Sequence, residues 1–195
     1  MEIQEFNIEE YADHHMIDVF ISGSLDQNDT PRNIQNQLSP QLNQLQSSSA
    51  LNIYLESLGG TIGVSTGIYD YFDNLRKRKK FEIITHLTGN CSSAAIIIAL
   101  LGDKRVLYPG ANMVFHATMR TVSGSRNKQE LLEMVEELQS YDDIQKKYYS
   151  RIGLTEAALN YLFDGNLFYK DRLLTHKQII ELGIATHVVK DYKVV

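Results

Sequence analysis

A serine stands between a polar turn and an apolar run in Gly89-Asn90-Cys91-Ser92-Ser93-Ala94-Ala95-Ile96-Ile97-Ile98-Ala99-Leu100-Leu101-Gly102. The pattern predicts a buried helix with Ser93 at its entrance, where the first backbone N–H groups lack an intrahelical acceptor. A serine hydroxyl that attacks a carbonyl there has main-chain donors at hand for the oxyanion that forms. The same position also suits a plain helix cap, because serine is a favoured N-cap residue. The two roles are compatible.

A serine is inert until a base takes its proton, and that base needs a third group to orient it. His116 ends the short apolar segment Met113-Val114-Phe115, where a base at a strand end is expected. Asp171, in Asp171-Arg172-Leu173-Leu174, has Tyr169, Leu173 and Leu174 nearby to shield an orienting carboxylate. Taken singly, His116 also reads as a loop histidine and Asp171 as a solvated aspartate between Lys170 and Arg172. Gly59-Gly60 follows a strand, and only glycine lets a backbone approach a substrate carbonyl so closely without steric cost; an ordinary strand-to-helix turn would use the same pair. Cys91 is a rival nucleophile by position, but a free cysteine usually packs as a small apolar residue.

Several chemistries are disfavoured. The spacings of His14, His15, His86, His176 and His187 fit neither HExxH nor a Cys/His zinc pattern, so no metal is expected. No GxxxxGK[ST] loop occurs, so the chain itself is not expected to hydrolyse ATP, and no cofactor is expected. Arg76-Lys77-Arg78-Lys79-Lys80 reads as a solvated helix end whose cations favour the helix dipole. A net charge of −5 argues against nucleic acid as the main partner.

The elements that must position these residues alternate. Ile17–Ile21, Leu51–Leu55, Phe81–Leu87, Lys104–Tyr108, Asn112–His116 and Ile184–Val189 read as strands. Helices are expected over Thr30–Leu45 (Thr30 as N-cap, Pro31 first, Pro40 kinking), Val64–Leu75, 93–101, 155–163 and 176–182. Leu131, Met134, Val135, Leu138, Tyr141 and Ile144 mark a long amphipathic helix within about 120–150, roughly twice the average helix length. Such alternation predicts an α/β fold around a largely parallel sheet. Residues 1–15 are acidic and aperiodic and are expected to form an N-terminal arm.

With 195 residues, 43% hydrophobic and 22% charged, residues 1–195 read as a single globular domain. One cysteine excludes an intrachain disulfide and fits a reducing, cytoplasmic setting. No signal peptide is expected after Met1, and the longest apolar run, Ala94–Leu101, is too short to span a membrane.

Four segments together resemble the proteolytic subunits of the Clp protease family. Ser57-Leu58-Gly59-Gly60 and Ile68-Tyr69-Asp70 are similar to that family's Ser-Pro-Gly-Gly and Ile-Tyr-Asp. Gly89-Asn90-Cys91-Ser92-Ser93-Ala94-Ala95 resembles Gly-Gln-Ala-Ala-Ser-Met-Gly; Met113-Val114-Phe115-His116 resembles the strand before the family's histidine. Asp171-Arg172-Leu173-Leu174-Thr175 and Glu181-Leu182-Gly183 resemble Asp-Arg-Phe-Leu-Ser and the Tyr-Gly helix end. The resemblance runs from about Ile17 to Val189, in the order Ser, His, Asp. Departures include Leu58 for proline, Ala94 for methionine, Ala95 for glycine, and Ala117-Thr118 for Gln-Pro.

This resemblance implies a crotonase-like Clp peptidase fold of repeated β-β-α units with a protruding handle helix. It implies a serine endopeptidase with Ser93 as nucleophile, His116 as general base and then acid, and Asp171 orienting the imidazole. The backbone N–H groups of Gly60 and Ala94 would form the oxyanion hole. It further implies homo-oligomers: heptameric rings, paired as a tetradecamer around a chamber, fed unfolded polypeptide by a separate AAA+ unfoldase. A short N-terminal arm unlike the family's axial loop bears on that docking. Other readings compatible with the sequence are a phage-type prohead or scaffold protease of the same fold, a catalytically silent ring subunit, and a crotonase-like acyl-CoA enzyme.

Overall fold

The computed structural model describes residues 3–26, 31–163 and 171–189. Six strands form one parallel sheet in the order β1-β8-β5-β4-β3-β2. These are β1 (Gln4–Phe6), β2 (His15–Leu25), β3 (Ser49–Gly60), β4 (Glu82–Cys91), β5 (Lys104–Leu107) and β8 (His187–Val189). β6 (Met113–Phe115) and β7 (Arg172–Leu174) make a separate antiparallel pair. The helices are α1 (Pro31–Leu42), α2 (Ile62–Lys79), α3 (Ala95–Ala99), α4 (Lys128–Arg151), α5 (Glu156–Leu162) and α6 (His176–Glu181).

Parallel strands carry side chains on two covered faces, so both must find apolar partners. On one face Ile53, Leu55, Ile83 and Leu87 pack against α2 and the wholly buried α3. On the other, Ala50, Ile84 and Val106 pack under Phe6 and Tyr11. Beside them Phe20, Tyr54 and His86 stack across three strands, with ring centroids 4.9 and 4.4 Å apart. His86 is buried there, facing Asn52 Oδ1 at 3.1 Å and the Tyr108 hydroxyl at 3.2 Å. Burial pulls its pKa down to about 4.

The mixed α/β architecture agrees with the expected fold, and differences concern particular segments. Residues expected as an arm include β1, paired in parallel with β8, and a 3-10 turn at Ile8–Tyr11. Phe6 and Tyr11 supply its grip on the sheet, which aperiodic polar neighbours concealed. Pro40 lies inside α1 and the helix runs on to Leu42. Thr30, expected as its cap, lies outside the described residues, as do Tyr169 and Lys170. α4 has the expected length, but most of its expected apolar stripe is turned outward: Leu131, Val135, Tyr141 and Ile144 are exposed, and only Met134 and Leu138 are half-buried. The face that meets the protein carries Asp142, Gln145, Tyr148 and Tyr149.

Arg105 fastens the C-terminal segment to the sheet. It is buried, and its guanidinium donates to the carbonyls of Gly102, Gly183 and Ile184 at 3.0, 2.9 and 2.7 Å. Three acceptors satisfy a cation that would otherwise be costly to bury. The turn after α6 is thereby fixed to β5.

Candidate active site

Ser93 sits in a turn between β4 and α3 with φ of +55°. Residues with a Cβ rarely hold that left-handed conformation, because the side chain crowds the following carbonyl, at a cost of roughly 1–2 kcal/mol. The turn is held from three sides. Cys91 N–H donates to Asn112 O at 2.9 Å, Ser92 N–H to Ser57 O at 3.0 Å and Ser93 N–H to Val114 O at 2.8 Å. The Ser92 hydroxyl accepts from Val114 N–H at 3.0 Å. Ser92 therefore binds β6 and does not cap α3, which begins three residues later at Ala95 with no side-chain cap. Ser93 also lacks the cap role, and its half-buried side chain is left to the turn.

The glycine pair abuts this turn. A Cβ on Gly59 (φ +97°) would lie 2.6 Å from Ser93 Cβ and 2.7 Å from Ser92 O. A Cβ on Gly60 would lie 2.2 Å from Leu25 O, whose own partner is Thr61 N–H at 2.7 Å. Alternate residues of a strand aim their backbone groups at opposite neighbours. Since Thr61 N–H points to β2, Gly60 N–H points away from it, to the side on which β4 ends. The Ser57 hydroxyl pins the loop, donating to Gly23 O at 2.5 Å and accepting from Gly59 N–H at 3.1 Å. Among the described residues Ala94 N–H has no acceptor.

His116 follows β6 directly and is half-buried. Its Nδ1 is 2.7 Å from Ala117 O. A carbonyl only accepts, so Nδ1 carries the proton and Nε2 the lone pair, the tautomer a base requires. Asp171 is exposed and immediately precedes β7. The β6–β7 register pairs Met113 with Leu174, Val114 with Leu173 and Phe115 with Arg172. One step further it sets His116 opposite Asp171. Ser93, through its N–H on Val114 O, His116 and Asp171 thus each adjoin the two-stranded sheet. Among the described residues no hydrogen bond links Ser93 Oγ to His116, or His116 to Asp171.

Cys91 packs as expected. It is buried, its thiol donates to Leu55 O at 3.4 Å, and burial pushes its pKa up to about 12. That thiol stays protonated near neutral pH and does not compete as a nucleophile. Among the described residues, no group of three His, Cys, Asp or Glu side chains could hold a metal ion, and no helix is long and apolar enough to cross a membrane.

A cleft of about 400 Å³ opens beside the site between Thr61, Ile62, Thr118, Met119 and Leu138. It runs between the chain leaving Gly60 and the chain leaving His116. Beneath it, two residues that sequence reasoning did not single out hold the latter chain. Asp142 Oδ1 accepts from Thr118 N–H at 2.9 Å, and Gln145 Nε2 donates to Thr118 Oγ1 at 3.2 Å. The available signal was a polar pair three residues apart on a helix whose apolar stripe lies elsewhere.

A parallel sheet flanked by helices, with a left-handed serine turn laid against the strand that leads into His116, makes this an α/β protein with a serine poised beside a histidine. The Clp protease family model matches residues 9–192, and the chain belongs to that family. It is also similar to an ATP-dependent Clp protease proteolytic subunit of Chlorella vulgaris. The two are 25% identical over 154 residues, covering 78% of this chain and 72% of that protein.

Proposed function

We propose that this Clp-type peptidase is a serine endopeptidase that hydrolyses unfolded polypeptide through Ser93, His116 and Asp171. The observation that carries the reading is the hydrogen-bonded seat of Ser93 on Val114, two residues before His116. Nucleophile and base are tied to one short strand. Peptide in the adjoining cleft would present its scissile carbonyl to Ser93 Oγ. As the C–O bond forms, the serine proton passes to His116 Nε2, and the oxyanion takes the N–H groups of Gly60 and Ala94. One such donor is worth roughly 2.7–4 kcal/mol at a transition state. The C–N bond then breaks, with His116 returning the proton to the leaving amine. Water, activated by the same nitrogen, hydrolyses the acyl-enzyme.

Asp171 completes the set by joining Ala117 O as a second acceptor for Nδ1–H and stabilising the imidazolium. In an unliganded site such bonds are often long and tighten with substrate. The exposed apolar positions of α4 support a homo-oligomer, read as a heptameric ring with paired rings, and a separate AAA+ unfoldase as the supplier of substrate. The relative's name, which calls it ATP-dependent, supports the latter, because this sequence has no phosphate-binding loop. A single, buried cysteine suits a reducing cytoplasm.

The test is labelling with a fluorophosphonate, mapped by mass spectrometry, with Ser93→Ala as control. Adduct on Ser93 alone is expected. Intact rings that take no label, with or without peptide, would instead favour the silent ring subunit.

A further inference from the structure

We infer that Asp142 is a positioning residue for His116, acting through the peptide group between Ala117 and Thr118; this rests on the reading of His116 as the base. Asp142 lies on the inward face of α4 and is buried. A carboxylate so placed is costly unless donors satisfy it. The Thr118 N–H does so at 2.9 Å. The carbonyl of that same peptide group, Ala117 O, takes the proton of His116 Nδ1 at 2.7 Å. One peptide plane therefore links a buried carboxylate on its N–H side to the imidazole on its C=O side.

Two consequences follow from that link. The first is geometric: Asp142 and, one turn on, the buried Gln145 grip Thr118 at its N–H and its hydroxyl. The backbone two residues beyond His116 cannot turn about its axis without breaking both bonds. The second is electronic. A peptide N–H donating to an anion polarises its own carbonyl and makes it a stronger acceptor. The carboxylate thereby strengthens the bond that keeps the proton on Nδ1 and the lone pair on Nε2. Asp142 touches neither substrate nor reacting atoms; its effect reaches the chemistry only through His116.

The experiment compares steady-state peptide hydrolysis by wild-type protein and the variants Asp142→Leu, Asp142→Asn and Gln145→Leu, with Ser93 labelling alongside. Leucine keeps aspartate's branched shape and removes the acceptor, whereas asparagine keeps an oxygen for Thr118 N–H. Displacing a catalytic group by about 1 Å can cost on the order of 100-fold. Asp142→Leu should lose at least about tenfold in kcat with KM within about twofold, and Asp142→Asn should recover most of that loss. Gln145→Leu should lower kcat by a smaller factor. Wild-type kcat in Asp142→Leu, or equal impairment in the leucine and asparagine variants, would overturn the inference. If Asp142→Leu does not fold, an unchanged kcat in Gln145→Leu would overturn it too. Absence of Ser93 labelling in the wild type would sink the serine-peptidase reading itself, and the inference with it.

Discussion

Gly59 lies so close to Ser93 that a methyl group on the glycine would sit 2.6 Å from the serine's Cβ. The second-nearest atom is the Ser92 carbonyl oxygen at 2.7 Å, which is backbone and cannot swing aside. Gly59→Ala must therefore displace the serine turn, besides forcing alanine to a φ of +97°. The expected result is a stability loss of more than about 1 kcal/mol together with loss of Ser93 labelling. Denaturant midpoints and probe labelling measure the two effects, and a fully labelled variant would refute the contact.

The left-handed turn at Ser93 gives a second expectation. Ser93→Ala and Ser93→Gly should both be inactive, yet differ in stability. Alanine keeps the crowding of a Cβ at φ +55°, and glycine relieves it. The glycine variant should be the more stable of the two by about 1 kcal/mol. Equal unfolding midpoints would mean that the turn relaxes when the hydroxyl is lost.

Asp171→Asn should cut peptide turnover by roughly 100-fold or more, as loss of the orienting carboxylate does in other triads. Turnover near wild type would mean that the Ala117 carbonyl alone suffices to hold Nδ1–H.

His86 predicts an acid limb of stability. Its pKa is about 4 in the fold, chiefly because burial disfavours the cation, against about 6.5 in the unfolded chain. Between these values the unfolded chain binds the extra proton, so stability falls as pH falls from about 6.5 to about 4 and is fully retained above. The loss amounts to roughly 3 kcal/mol, at about 1.4 kcal/mol per unit. His187, also lowered mainly by burial, acts in the same sense. Urea midpoints across that range, compared between wild type and His86→Phe, should show a flatter dependence in the variant.

Leu131, Leu132 and Val135 lie exposed on the part of α4 that precedes its buried face. Light scattering at micromolar concentration should therefore give a mass of several protomers, and Leu132→Glu with Val135→Glu should lower it. A monomeric wild type would contradict the ring.

Where the sequence carried local periodicity or punctuation, it was legible. The alternation of β2 and β3, the stripe of α2 and the glycine punctuation at 59–60 all precede their structural outcome. Ser93, His116 and Asp171 were legible as candidates, since each sits where a strand or turn begins or ends, and the resemblance joined them into one set. What escaped depends on pairing between distant segments. β1 and β7 are three residues long, too short for any period, and exist because β8 and β6 supply their hydrogen bonds. The inward face of α4 misled because at Asp142 its partner is a backbone N–H, which selects aspartate, whereas most of the apolar stripe is exposed. Thr118, by contrast, was flagged as a departure from the family's proline, and its N–H is the group Asp142 binds.

The small β6–β7 sheet has a last implication. Among the described residues it is tied to the main sheet by the Asn90–Asn112 bridge, by backbone and hydroxyl bonds to residues 89–93, and by the core packing of Met113, Phe115 and Leu174. The six parallel strands pair among themselves and take none of their register from it. Loss of chemistry and loss of shape are thus separable events in this molecule. Hydrogen exchange should find the amides of Val114 and Ser93 opening together, well before those of Ile53 and Ile84, a local melting that silences the protein while it remains folded.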